Sequence, residues 1–171
     1  MPDYTKLPLG EHAPDLVNAV IEIPKDSVNK YEYDKQLQVF RLDRTLFSPV
    51  HYPGDYGFLP GTLGNDGDPL DVLVLVEAPS FPGCLIEVRP IGVLRMVDQG
   101  KKDEKILAVA ESDPLYREVK DYSEVFNHTV REIEHFFSIY KALEGKKTEM
   151  AGWAGVDTAR QIIVEGKERF Q

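Results

Sequence analysis

Between residues 65 and 71 the chain reads Asn65-Asp66-Gly67-Asp68-Pro69-Leu70-Asp71, three carboxylates within six residues. Gly67 and Pro69 favour a tight turn, and Asp71 opens an apolar run, Asp71 to Val76. Such a turn folds Asp66 back toward Asp71 while Asp68 projects nearby. Crowded like charges push one another's pKa up unless a counter-ion intervenes. A divalent cation relieves the repulsion, and hard oxygen ligands suit magnesium, manganese or calcium better than zinc. A calcium EF-hand does not fit. With Asp66 at the first loop position, Leu70 and Asp71 fall where an oxygen ligand and a glycine are required, and residues 72–76 read as a strand. The competing reading is a turn whose carboxylates only cap their own backbone amides.

A second acidic group, Asp98, Asp103 and Glu104, lies among Gly100, Lys101, Lys102 and Lys105. By itself it reads as a mixed-charge hairpin loop. Glu22 sits inside the apolar run Val20-Ile21-Glu22-Ile23, either on a wet face or buried for a reason. Lys30, Arg44, Lys105 and Lys141 stand near strand or helix ends, accompanied by Tyr31, Tyr52, Tyr56 and Tyr140. Singly, each is a surface cation or a packing aromatic. Jointly they can form a donor-rich cup facing the carboxylates. Bound metals, cationic clamps and phenol donors are what phosphoryl transfer needs, because charge spreads over the equatorial oxygens. Common alternatives are missing: there is no G-x-x-x-x-G-K-[ST], no strand-linked G-x-G-x-x-G and no G-x-S-x-G. The histidines at 12, 51, 128 and 135 form no close pair, and the one cysteine, Cys84, reads as an unreactive thiol.

The elements that must position these groups are short strands followed by helices. Strands are expected at Val17–Ile23, Lys30–Lys35, Leu37–Leu42, Asp71–Val76, Cys84–Val88, Ile91–Val97 and Ile106–Ala110. Residues 45–69 hold four prolines and five glycines with several aromatics, and read as a long ordered loop of the functional kind. Val130, Ile133, Phe136, Phe137 and Tyr140 recur at helical spacing, with Asn127 as N-cap and Gly145 as stop. A last helix is expected after Asp157, through Ile162 and Ile163 toward Gly166. Strands before helices point to an α+β fold, with a small antiparallel barrel of the five-stranded, partly open OB type.

The length, 171 residues, corresponds to a single domain, 1–171. One cysteine excludes an internal disulfide or a Cys-based zinc cluster. No run is long and apolar enough for a membrane span. The start, Met1-Pro2-Asp3-Tyr4, does not resemble a secretory signal, so a cytoplasmic setting is expected. A net charge of −9, from 20 basic and 29 acidic residues, argues against nucleic acid or an anionic membrane as partner. It leaves open a small phosphorylated substrate carrying a divalent cation. Two rivals remain at this level: a metal-dependent phosphohydrolase acting on nucleotides or monoesters, and a non-catalytic OB-type binding module.

Taken together these residues resemble the family I soluble inorganic pyrophosphatases. Asp66-Gly67-Asp68-Pro69-Leu70-Asp71-Val72 is similar to that family's signature. Val20-Ile21-Glu22-Ile23-Pro24, Lys30-Tyr31-Glu32, Asp43-Arg44, Tyr52-Pro53 and Asp55-Tyr56-Gly57 match its earlier motifs in order. Arg89-Pro90-Ile91-Gly92-Val93-Leu94 then leads to Asp98, Asp103 and Lys105, and His135-Phe136-Phe137 to Tyr140-Lys141. The resemblance implies an OB-like barrel with flanking helices that hydrolyses pyrophosphate to two orthophosphates. It implies several magnesium ions, with manganese or zinc as substitutes. Asp66, Asp71 and Asp103 would hold the first, Asp71 would reach a second, and Asp98 with Asp103 would take a later one. Asp68 would be the general base. Lys30, Arg44, Tyr52, Tyr56, Lys105, Tyr140 and Lys141 would bind the phosphates, and Glu22 and Glu32 would complete an acidic wall. A metal-bound hydroxide would attack in line, with no covalent intermediate. The residue after Asp98 is often acidic in the family, and here it is Gln99. Short bacterial chains of this kind are hexamers, so a homo-oligomer is implied as well.

Overall fold

Strand β6 (Leu85–Asp98), 14 residues long, is the spine of the molecule. The computed structural model describes residues 2–171. The start of β6 pairs with β1 (Val17–Ile23) and its second half with β8 (Thr148–Gly155), while β7 (Lys101–Ala110) runs antiparallel beside it. From β1 the sheet continues through β4 (Asp55–Leu59) and β5 (Leu70–Leu75), and β5 joins β7 in parallel. The β1–β6 pairing therefore closes β1-β4-β5-β7-β6 into an OB-like ring, with β8 attached outside. A separate two-stranded sheet, β2 (Asn29–Asp34) and β3 (Val39–Thr45), stands beside it.

The ring is covered on both faces because its strands alternate. Leu73, Leu75, Leu107 and Val109 face one way, under helix α1 (Asn127–Ile139), which adds Ile133, Phe136 and Phe137. Val72, Val74, Ile106 and Ala108 face the other way, under α2 (Val156–Phe170), which adds Ala159 and Ile163. A central strand buried on both faces reads as a continuous apolar run rather than an alternation, as Asp71-Val72-Leu73-Val74-Leu75-Val76 does. Gly57 marks a close approach: a Cβ there would stand 1.9 Å from the Val20 carbonyl oxygen. Any larger residue would push β1 off β4.

The expected fold class holds, with local corrections. The stretch 45–69 is not all loop, since β4 lies inside it, fully buried. Its five residues carry too little pattern to stand out among prolines and glycines, and pairing on both sides makes the strand. Residues 84–97 are not two strands. Pro90 is absorbed by a bulge against β7, between Pro90 and Gly92, so β6 runs on. Strand β8 went unforeseen, because Thr-Glu-Met-Ala-Gly-Trp-Ala-Gly has weak strand propensity and is recruited by the free edge of β6. Asp103 and Glu104 lie in β7, not in a loop. The hairpin turns in two residues, Gln99 and Gly100, with φ of 52° and 82°, the geometry of a type I′ turn.

Phe126, not Asn127, occupies the N-cap position of α1, without a side-chain cap. The helix ends at Ile139, before Gly145, which closes the 3-10 turn Ala142–Glu144 at φ 74°. Helix α2 starts at Val156, whose N–H donates to Asp121 Oδ1 at 2.9 Å, so its cap comes from a distant loop. Arg89, buried, donates to the carbonyls of Tyr116 (2.6 Å) and Val119 (2.9 Å) and pairs with Glu111. This lashes the 111–119 segment that leads into α1. Among the described residues no helix is long and apolar enough to cross a membrane.

Candidate active site

Sheet register builds the centre of the site. Phe58 on β4, Asp71 on β5, Lys105 on β7 and Leu94 on β6 are successive partners across four strands. Asp71 and Lys105 share a face with Leu73 and Leu107, toward α1. The Lys105 ammonium lies 2.9 Å from Asp71 Oδ2, 2.9 Å from Asp103 Oδ2 and 2.7 Å from the Tyr56 hydroxyl, with Lys105 only 4% exposed. Burial alone would lower the lysine pKa. The charges of Asp71 and Asp103 and the Tyr56 oxygen outweigh it and hold the pKa well above the ordinary value. Burial, reinforced by Asp71, pushes the Asp103 carboxyl up despite its contact with Lys105.

Around this ion triad stand phenols. Tyr52, Tyr56 and Tyr140 are buried, and burial holds each phenol's pKa above the ordinary value. All three therefore remain protonated donors near neutrality. Their rings pack against Phe136 and Phe137 of α1 at 4.8 to 5.9 Å. Lys141, just past α1, pairs with Asp98 at the end of β6. Partial burial would raise the Asp98 pKa, but the Lys141 hydrogen bond and charge bring it below the ordinary range. Gln99, at the turn, reaches back to Asp98 Oδ1 at 3.4 Å.

The β2–β3 hairpin forms the opposite wall. Lys30 lies 3.4 Å from Asp43 and 3.7 Å from Glu32. The hairpin is anchored to the barrel by an aromatic cluster in which Tyr33 meets Tyr4 and Phe40, each at 5.2 Å. It is also pinned by Glu22, whose Oε2 accepts the Tyr33 N–H at 2.8 Å. Protein encloses the Glu22 carboxyl, and that burial, helped by the charges of Asp71 and Glu32, raises its pKa to about 7.

A raised carboxyl favours folding when it is neutral, so its contribution is complete below about 4.5 and lost as pH climbs through about 7. In chelator, the wild-type protein is expected to lose on the order of 2–3 kcal/mol from this group between pH 4.5 and 7.5. The Glu22→Gln variant should lack that component. Urea unfolding of both proteins across the interval tests it, and identical pH slopes would refute it.

Asp66 and Asp68 sit on the exposed 64–68 turn, where Gly67 has φ 84°. Asp66 Oδ1 accepts the Asp68 N–H at 3.0 Å, and Lys35 lies 3.6 Å from Asp68 across the mouth. The cleft so formed has a volume of about 600 Å³. It brings together Glu22, Lys30, Glu32, Tyr52, Tyr56, Asp66, Asp68, Asp71, Asp98, Asp103, Lys105, Tyr140 and Lys141. Arg44 is the exception: it does not line the cleft and is held by Asp43 at 2.6 Å and Glu144 at 2.8 Å. Lys35, Lys101 and Lys102 also line the cleft. The sequence does not single them out: Lys35 reads as a strand end and Lys101 and Lys102 as parts of a mixed-charge hairpin loop, and nothing in their spacing marks them.

Among the described residues no three acidic, histidine or cysteine side chains converge on one point. Asp71 and Asp103 instead share the Lys105 ammonium, and Asp98 takes Lys141. The donor chemistry nevertheless fits a hard divalent cation. Every candidate ligand is a carboxylate, two of them already face one positive charge, and burial with the nearby Asp71 charge still pushes the Asp103 carboxyl up.

The closed OB-like barrel thus carries an acidic cleft edged with lysines and phenols. The family model described as inorganic pyrophosphatase matches residues 19–171. The chain is 50% identical over 169 residues to the inorganic pyrophosphatase of Nostoc sp., covering 99% of each. It is 52% identical over 151 residues to that of Methanosarcina mazei, covering 88% of this chain and 89% of the other. In structure it matches the crystal structure of inorganic pyrophosphatase from Thermus thermophilus with a TM-score of 0.97, at 42% identity and 99% coverage of both chains. The chain belongs to the inorganic pyrophosphatase family.

Proposed function

We propose that this single-domain chain hydrolyses inorganic pyrophosphate to two orthophosphates with divalent-cation assistance, in the cleft between the barrel face, the end of α1 and the β2–β3 hairpin. Family membership supports the substrate. The observation that carries the reading is the facing of five aspartates by six lysines and the buried phenols of Tyr52, Tyr56 and Tyr140 within about 600 Å³. Pyrophosphate needs both halves of that arrangement, cations and donors for its oxygens and carboxylates for its counter-ions.

Asp66, Asp71, Asp98 and Asp103 would hold the cations, with magnesium favoured by the all-oxygen donor set. When bound, such cations make water acidic and neutralise phosphate charge. Asp68, solvent-facing on its turn, orients the attacking water and accepts its proton. Lys30, Lys105 and Lys141 neutralise the non-bridging oxygens, and Arg44 adds a further cation from the hairpin. Because Lys105 donates to the Tyr56 oxygen at 2.7 Å, the Tyr56 proton is free to be donated to phosphate. Tyr52 and Tyr140 act likewise, and burial keeps all three protonated. Glu22 and Glu32 set the hairpin and its Lys30. The water oxygen forms a bond to one phosphorus as the bridging P–O bond breaks, and the departing phosphate leaves with its charge covered by lysines. No side chain of the cleft needs to bond covalently to phosphorus. A cytoplasmic setting and hexameric assembly belong to the same proposal, supported by the resemblance to short bacterial chains. The net charge of −9 supports the absence of a nucleic-acid partner.

Orthophosphate release from pyrophosphate is expected with magnesium and should stop on adding chelator. ATP offered under the same conditions should be a poor substrate. Magnesium-independent release, or a preference for ATP, would overturn the reading.

A further inference from the structure

Glu144 lies on the 3-10 turn Ala142–Glu144, three residues beyond Lys141, in an otherwise exposed surface segment. Its side chain is nevertheless only 5% exposed. Oε1 stands 2.8 Å from Arg44 Nε, in a geometry that makes an ion pair rather than a hydrogen bond, and 3.9 Å from Lys146. Oε2 is buried with no partner among the described residues. Withdrawing a carboxylate from water is costly unless an opposite charge compensates. Here Arg44 is the nearer of its two cations. Asp43 takes Nη1 of the same guanidinium at 2.6 Å, which leaves Nη2 without a protein bond among the described residues. Two carboxylates from different elements thus hold Nε and Nη1 of the planar fork and leave Nη2, which both edges share, available to an anion.

We infer that Glu144 is the positioning residue for Arg44, orienting its guanidinium toward the substrate phosphates. The inference rests on the proposed phosphate-binding role of Arg44. Arg44 belongs to the β2–β3 hairpin, which shares no strand pairing with the barrel sheet, whereas Glu144 follows shortly after Tyr140 and Lys141. The pair therefore ties the hairpin wall to the helix-end wall, so that cations from both converge on one anion. A guanidinium released from Glu144 would sample more rotamers and bind the ground state less well. The effect should fall on KM and little on kcat.

The test is steady-state kinetics of the full chain with magnesium pyrophosphate, for Arg44→Ala, Glu144→Gln, Glu144→Asp and the double variant Arg44→Ala/Glu144→Gln. Glu144→Gln is expected to raise KM about 3–10-fold with kcat within about twofold, and Glu144→Asp should recover part of the loss. The double variant should be no worse than Arg44→Ala, since a residue acting through another adds nothing once that other is gone. If Arg44→Ala raises KM while Glu144→Gln does not, the inference falls and the reading of Arg44 stands. Effects that multiply in the double variant would also sink it. Should Arg44→Ala behave as wild type, the role of Arg44 itself is wrong, and Glu144 with it. Thermal melts of each variant separate these outcomes from simple loss of fold.

Discussion

The Asp71→Asn variant is expected to turn over pyrophosphate about 10²–10³ times more slowly at saturating magnesium, a loss of roughly 3–4 kcal/mol in transition-state stabilisation. Asparagine keeps the shape and removes one negative charge beside the buried Lys105 ammonium. Asp71 is the carboxylate that faces Lys105 directly across the β5–β7 pairing, at 2.9 Å, and it is proposed to hold the cations closest to the attacking water. Its loss also leaves Lys105 with Asp103 as its one carboxylate partner among the described residues. Measured kcat near the wild-type value, in a variant whose circular dichroism is unchanged, would remove Asp71 from the chemistry.

Lys105→Met should show a second large effect, on stability first. Methionine fills a similar volume without the charge, and two carboxylates, Asp71 and Asp103, then face each other without their shared counter-ion. Breaking a buried ion pair from one side costs about 3–5 kcal/mol, and Lys105 is 4% exposed. In chelator the variant should therefore unfold at markedly lower denaturant than wild type. Magnesium should restore part of the difference, because a cation held by the same carboxylates takes over the neutralising role. Activity should remain depressed by about 10²-fold even with metal, since the ammonium is proposed to touch phosphate. An unchanged unfolding midpoint in chelator would mean that the triad is not held as described.

Much of the site was legible because its signals are local. The Asp66 to Asp71 turn announces itself by like charges, glycine and proline in a few residues, and Tyr140 and Lys141 follow from the helical spacing of Ile133, Phe136 and Phe137. What could not be read depends on chain segments that meet only after folding. Strand β4 exists because β1 and β5 flank it, and β8 because β6 is long enough to offer a second edge. Asp103 looked like a loop residue because nothing local reveals that Gln99 and Gly100 alone make the turn. Glu144 and Arg44 are separated by a hundred positions, and no spacing rule joins them. Arg44 is grouped with the phosphate binders by resemblance alone, and it does not line the cleft.

The β5–β7 pairing, parallel where every other strand pair in the described residues is antiparallel, carries a consequence for how faithfully the chain assembles. In a strand, a slip of one position turns each side chain to the opposite face. A displaced β7 would therefore drive the Lys105 ammonium among Val72, Val74 and Ala159, turn Asp103 to that same face and bring Ile106 against Asp71. The groups that serve the reaction thus double as an alignment key. Misthreaded rings are penalised by electrostatics as well as by packing, and natural selection for turnover also selects for barrels that close in a single frame.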